Sequence, residues 1–321
     1  MPFSLAKYAL ISALALLAVG AVIYAAFLRD MAAIRQRLAE QAKVVDTRFG
    51  AVEYTDWGSG AVVLALHGAG GGFDQGRVLA QAFGPEGYHW VAPSRFGYLG
   101  STLPQDASTA AQADALVAML DGLGIDRVAI LAMSGGVPPA LQMAERHPDR
   151  VSALVLLSSA PFTPLPTQQN DLPIPIWLYQ ALFRSDLPYW IISKIAPSRL
   201  EAAFDVPAGR RADLPTTEIA FIDNMLAAFL PVSQRQNGLL NEAAAIDPAA
   251  RHDLGRITAP TLVVHARDDG LNPVSIAQYI AAKLPGASLM VTDSGGHLLL
   301  GHHDTIRRAI AEFLRQTSAF D

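Results

Sequence analysis

The string Val128-Ala129-Ile130-Leu131-Ala132-Met133-Ser134-Gly135-Gly136 sets a serine between small residues directly after an apolar run of strand length. A nucleophile on a sharp strand-to-helix turn needs small neighbours at minus two and plus two, and Ala132 and Gly136 meet that need. The same string taken alone also fits a serine that caps an ordinary helix. Three further segments distinguish the two readings. Val62–Leu66 runs into His67-Gly68-Ala69-Gly70-Gly71-Gly72. Such a loop could cradle a phosphate, but G-x-x-x-x-G-K-[ST] is absent and Phe73-Asp74 follows. The alternative is an oxyanion loop, with the N–H of Ala69 and that of Gly135 turned toward a substrate carbonyl oxygen. Thr261–His265 leads to Asp268 and Asp269, and Ser288–Thr292 leads through Asp293-Ser294-Gly295-Gly296 to His297. A hydroxyl needs an adjacent base, and an imidazole base needs a buried carboxylate to fix its tautomer. Serine, carboxylate, histidine in that chain order is neither the chymotrypsin nor the subtilisin order.

The elements that must position these residues alternate. Short apolar runs at Val62–Leu66, His89–Ala92, Val128–Met133, Val151–Leu157, Thr261–His265 and Ser288–Thr292 read as strands, most of them buried on both faces. Helical stretches at Gly76–Phe83, Thr109–Leu123, Val137–Arg146, Val274–Leu284 and Thr305–Gln316 separate them. The pattern predicts an α/β protein with a mostly parallel twisted sheet and helices on both faces, preceded by an antiparallel hairpin over Arg48–Asp56. Residues 161–250 break the alternation. They hold 11 of the 21 prolines, which interrupt helices, so several short helices are expected there. Their aromatics, Phe162, Trp177, Tyr179, Phe183, Tyr189, Trp190, Phe204, Phe221 and Phe229, suit either a small core of their own or the apolar inner face of a lid.

Tyr8–Leu28 contains no charged residue. As a helix it spans roughly 30 Å, the thickness of a bilayer's hydrocarbon core. A cleaved signal has a shorter apolar run followed by a small-x-small site, whereas Ala13-Leu14-Ala15 and Ala18-Val19-Gly20 fall inside this run. The expectation is an uncleaved transmembrane helix at about 8–28 and a partner in membrane lipid. Met31, Ile34, Leu38 and Val45 continue the helical spacing as a juxtamembrane linker to residue 43. Arg29, Arg35, Arg37 and Lys43 outnumber Lys7 on the other side, which orients the catalytic domain to the cytoplasm. The chain carries a formal net charge of −5 and no basic block, which argues against a nucleic-acid partner. There is no cysteine, which excludes disulfides, thiol nucleophiles and Cys-held metals. His302 and His303 are adjacent and point apart on a helix, with no third ligand placed beside them, so no metal is expected.

Residues from about 44 to 316 resemble the α/β-hydrolase superfamily, in particular its capped serine hydrolases. The resemblance rests on His67-Gly68-Ala69-Gly70, Ala132-Met133-Ser134-Gly135-Gly136, Asp269-Gly270-Leu271-Asn272-Pro273 and Gly295-Gly296-His297. Ala92–Ser101 is similar to that family's D-x-x-G-x-G-x-S loop, with Ser94 in place of Asp and Leu99 in place of Gly, departures expected to alter packing and not chemistry. The resemblance implies Ser134 as nucleophile, His297 as base and, from the spacing to Pro273, Asp269 and not Asp268 as the acid. It implies a core of 44–160 and 251–321, a cap at 161–250, and no cofactor. The implied function is hydrolysis of a carboxylic ester or similar apolar acyl substrate. C–C bond cleavage of diketone-like substrates is the second enzymatic reading, and a catalytically silent binding protein the third.

Overall fold

The structure, a computed structural model, describes residues 2–162, 184–244 and 252–318. The chain forms two compact units, Met1–Gln41 and Ala42–Asp321. The first is one helix, α1 (Pro2–Gln41), long and apolar enough to cross a membrane. The sequence pattern carried its face on to Val45, but the helix stops at Gln41 and Val45 sits in β1 (Lys43–Thr47). Val44, Val45 and Thr47 are β-branched, and pairing decides their state: Val45 faces Val52 across an antiparallel ladder. The hairpin therefore starts earlier than expected. Its turn falls at Arg48-Phe49, and β2 runs over Gly50–Gly58. Thr47 Oγ1 accepts from Phe49 N at 3.1 Å and donates to Gly50 O at 2.8 Å, closing the turn.

The second unit is built on one eight-stranded sheet, ordered β1-β2-β4-β3-β5-β6-β7-β8. From β3 (Val62–Leu66) onward the strands are parallel: β4 (His89–Pro93), β5 (Val128–Met133), β6 (Val151–Leu157), β7 (Thr261–Ala266) and β8 (Ser288–Thr292). All six residues of β5 are buried, as a strand covered on both faces requires. Val128, Ile130 and Ala132 point to one face, where they join a core with residues of α3 (Thr109–Gly122) and α4 (Val137–Arg146). The helix α2 (Phe73–Phe83) follows β3, and α9 (Ser275–Lys283) and α10 (His303–Ser318) follow β7 and β8.

The strand order reverses at β3: the chain steps to β4 on one side and then returns to β5 on the other. Such a switch point opens a crevice at the carboxyl ends of the two strands. Leu66 lies opposite Ala132 in register, so the glycine loop after β3 and the Ser134 turn after β5 leave the sheet at the same level.

Between β6 and β7 the described residues form short helices: α5 (Asp186–Ile195), α6 (Pro197–Ala203), α7 (Thr216–Ala227) and α8 (Gln236–Ala244). Proline marks two of these starts, with Pro197 in the first turn of α6 and Pro215 capping α7, where the missing N–H costs no bond. Trp177, Tyr179 and Phe183 lie outside the described residues.

Three histidines are held neutral in this unit. Burial drives His67 well below its ordinary value, His252 to about 4, and His303 downward as well. In the unfolded chain each would titrate near 6.5, so between pH 6.5 and 4 the unfolded state binds more protons and is favoured as pH falls. The denaturant midpoint should therefore drop from pH 7.5 to pH 5. A midpoint that is flat or rises over that interval would contradict this account.

Candidate active site

Ser134 sits at φ 52, in the left-handed region, as the first residue of a 3₁₀ turn between β5 and α4. That conformation costs a non-glycine residue on the order of 1–3 kcal/mol and persists only where its surroundings enforce it. They do so through close packing. A Cβ on Gly136 would fall 2.7 Å from Leu66 O and 2.8 Å from His67 O, both backbone atoms, so position 136 admits only glycine. Ala132 is fully buried two residues before the serine. A Cβ on Gly68 would stand 3.3 Å from Ser134 Cβ, so the glycine loop passes directly beside the serine. A Cβ on Gly135 would be 3.3 Å from Ala69 N, which brings Ala69 and Gly135 together.

The glycine loop is propped from beneath. His67 is fully buried, its Nδ1 2.7 Å from Gly68 O, and its Nε2 accepts from Arg95 N at 3.0 Å. Burial, with Arg95 next in size, keeps its ring neutral, so the proton sits on Nδ1 and is donated to Gly68 O. Arg95 donates to the same carbonyl from its guanidinium at 3.0 Å. Tyr98 accepts from Gly70 N at 3.2 Å and donates to Glu242 Oε2 at 2.6 Å, and Glu242 also pairs with Arg95. Fully buried Arg235 forms a bidentate pair with Asp74 at 2.8 and 3.1 Å. Two ion pairs therefore pin residues 235–242 onto the loop. Ser94, the departure from the family loop, accepts from Phe73 N at 3.0 Å and donates to Glu53 at 3.3 Å.

His297 and Asp269 meet across the ends of β7 and β8. Nδ1 of His297 is 3.0 and 3.2 Å from the two oxygens of Asp269. Asp269 Oδ1 also accepts from Leu271 N at 2.9 Å and Asn272 N at 2.8 Å. A further donor is His265, whose Nε2 is 3.2 Å from Asp269 Oδ2 and 2.9 Å from Asn272 O. Burial alone would raise the pKa of this carboxyl, but the bonds from His265 and His297 outweigh it and hold it well below the usual carboxylate range. Asp269 is thus a fixed anion that keeps the His297 proton on Nδ1 and leaves Nε2 as a base. The backbone of His297 is held as well: its carbonyl accepts from Ser158 Oγ at 2.8 Å. Adjacent Asp268 turns the other way and accepts from Gly295 N at 3.3 Å and Gly296 N at 2.9 Å, and Arg267 pairs with Asp293.

A cavity of about 610 Å³ lies over these residues. Gly68, Ala69, Gln75, Ser134 and His297 are among its lining residues, and Ile192, Leu200, Phe204, Met225, Phe229 and Leu239 are part of a mostly apolar wall. No Lys or Arg lines it among the described residues. The structure therefore brings all five sequence-derived site residues to one place. His265, which reads from the sequence as a hydrogen-bonded core residue, also bonds the acid. Glu242, Arg235 and Asp205 carried no signal, because their partners lie far away in the chain.

The alpha/beta hydrolase fold family matches residues 61–304. A 2-hydroxy-6-oxononadienedioate/2-hydroxy-6-oxononatrienedioate hydrolase of Pseudomonas putida is 30% identical over 285 residues, which cover 82% of this chain and 91% of that one. A solved alpha/beta hydrolase fold protein from Nakamurella multipartita superposes with a TM-score of 0.68 at 26% identity, covering 85% of this chain and 99% of that one. A membrane phospholipase A shares the fold at a TM-score of 0.65 and 22% identity, over 97% of this chain and 99% of its own. With the sheet order, the serine turn and the match over residues 61–304 in agreement, the chain belongs to the alpha/beta hydrolase fold family.

Proposed function

We propose that the chain is a serine hydrolase that cleaves an uncharged carboxylic ester or similar acyl compound with an apolar portion. In this mechanism Ser134 Oγ attacks the acyl carbon while His297 Nε2 takes its proton. The charge that builds on the carbonyl oxygen is met by the amides of Ala69 and Gly135, worth about 3–4 kcal/mol per donor in such sites. Collapse of the intermediate expels the alcohol, which takes the proton from His297, and water then repeats the sequence to release the acid. Asp269 orients His297 and stabilises its charged form. No cofactor enters these steps.

The observation that carries the substrate class is the cavity wall. A buried carboxylate without a cation costs several kcal/mol, and no lining residue among those described offers one. A long apolar acyl group fits this wall. The second reading, C–C bond hydrolysis, is favoured by the name of the Pseudomonas putida relative, but a dioate brings two negative charges to a wall whose described residues include no Lys or Arg.

Aryl esters of increasing acyl length separate these readings. Each buried CH₂ contributes about 0.8 kcal/mol, roughly fourfold in affinity for the transition state. kcat/KM should therefore climb from acetyl toward octanoyl, with no turnover of the dienedioate. A flat or falling profile with rapid dienedioate cleavage would overturn the ester reading. On the preferred ester, Asp269→Asn should lower kcat by about 10⁴, the loss expected when the base takes the wrong tautomer. Asp268→Asn should cost less than about tenfold, since its remaining oxygen can still accept from Gly296. The reverse ranking would move the acid to Asp268.

The apolar α1 we read as a membrane anchor that orients residues 42–321 to the cytoplasmic face. Full-length protein should stay with membranes through carbonate extraction, while a chain starting at Ala42 should be soluble. Full-length protein in the supernatant, or a mature start after residue 20, would remove the anchor.

A further inference from the structure

Asp205 follows α6 and belongs to neither loop that carries the acid and the base. One oxygen of its carboxylate nevertheless accepts from both of them. Oδ2 lies 2.8 Å from Gly270 N, the residue after Asp269, and 2.8 Å from the backbone N of His297 itself. A single carboxylate thus bridges the acid loop to the base loop from the cap side.

Both loops are shaped to admit it. A Cβ on Gly270 would fall 2.5 Å from Asp205 Oδ1. A Cβ on Gly296 would fall 2.8 Å from both Oδ2 and the backbone oxygen of Asp205, and Gly296 itself stands at φ 59. The glycine after the acid and the glycine before the base are therefore the floor on which Asp205 rests. Asp205 adopts φ 61, a left-handed conformation that a residue with a Cβ holds only where its surroundings fix it. Phe204, its neighbour in the chain, lines the cavity.

We propose that Asp205 is a positioning residue for the Asp269–His297 pair: its carboxylate sets the separation of the two loops, so that the cap, and not the sheet alone, holds the base in register with its acid. The proposal rests on the reading of Ser134, His297 and Asp269 as the catalytic triad. Asp205 itself touches no reacting atom. Without it, Gly270 N and His297 N lose their common acceptor, and the imidazole can drift from both Asp269 and Ser134. A displacement of about 1 Å at a reacting group costs about 100-fold in rate.

The test uses the full chain with Asp205→Ala and Asp205→Asn. In Asp205→Ala, kcat for the preferred aryl ester should fall by about 30- to 100-fold with KM changed less than threefold. Asp205→Asn keeps an acceptor oxygen of the same shape and should regain at least tenfold of that loss. A second readout needs no substrate: the low-field proton resonance of His297 Nδ1–H, identified by its disappearance in His297→Ala. It should broaden or vanish in Asp205→Ala and return in Asp205→Asn. If Asp205→Ala does not fold, Asp205→Gly removes the carboxylate while accepting the positive φ and is read the same way. Unchanged kcat together with an unchanged resonance would overturn the proposal. A wild-type chain inert toward every ester would overturn the hydrolase reading, while the resonance would still decide the role of Asp205.

Discussion

Between Met133 and Val137 the chain must leave a fully buried strand and enter a helix within one turn, and it does so with Ser134 held at φ 52. The site geometry follows from that constraint. The turn can close only if the residues around it are small enough for the neighbouring strand's backbone to pass, which is why Gly136 faces two carbonyls of the β3 end and Gly68 faces the serine Cβ. The strand order supplies the rest. Because β3 and β5 are neighbours that lead away in opposite directions, Ala69 and Gly135 meet at the crevice where a substrate carbonyl would lie.

Among the described residues, those between β6 and β7 are held to the site at two places. At one, Arg235 and Glu242 form ion pairs with Asp74 and Arg95 beneath the glycine loop. At the other, Asp205 reaches the amides beside the acid and the base. Buried charged pairs of this kind contribute little net stability, since desolvation offsets most of the attraction. Their consequence is geometric: the apolar wall that would select the acyl group and the polar groups that would cleave it are held by the same few contacts.

Much of this was legible in the sequence because it depends on local patterns. The apolar runs placed the strands β3, β5, β6 and β8 to the residue, and the small residues around Ser134 marked the turn. The sheet's parallel order followed from strand–helix alternation. Three features escaped for physical reasons. The end of α1 was overrun because Val45 fits a helical face as well as a strand, and only the pairing with Val52 decides. His265 looked like core because its second partner, Asp269, becomes visible only when the chain turns back after β7. Asp205 and Glu242 were silent because one acidic residue among short helices looks like any other. Their partners stand 92 and 144 residues away in the chain, a distance no periodicity records.

The central claim is that Ser134, activated by the His297–Asp269 pair, forms a covalent acyl intermediate. Rapid quenching of the full-length protein with an excess of aryl ester, followed by mass analysis of its peptides, tests it directly. The account predicts an adduct of the acyl mass on the peptide containing Ser134, formed with a burst of released phenol and absent in Ser134→Ala. Turnover without any adduct and without a burst, or an adduct that persists on another residue in Ser134→Ala, would contradict it.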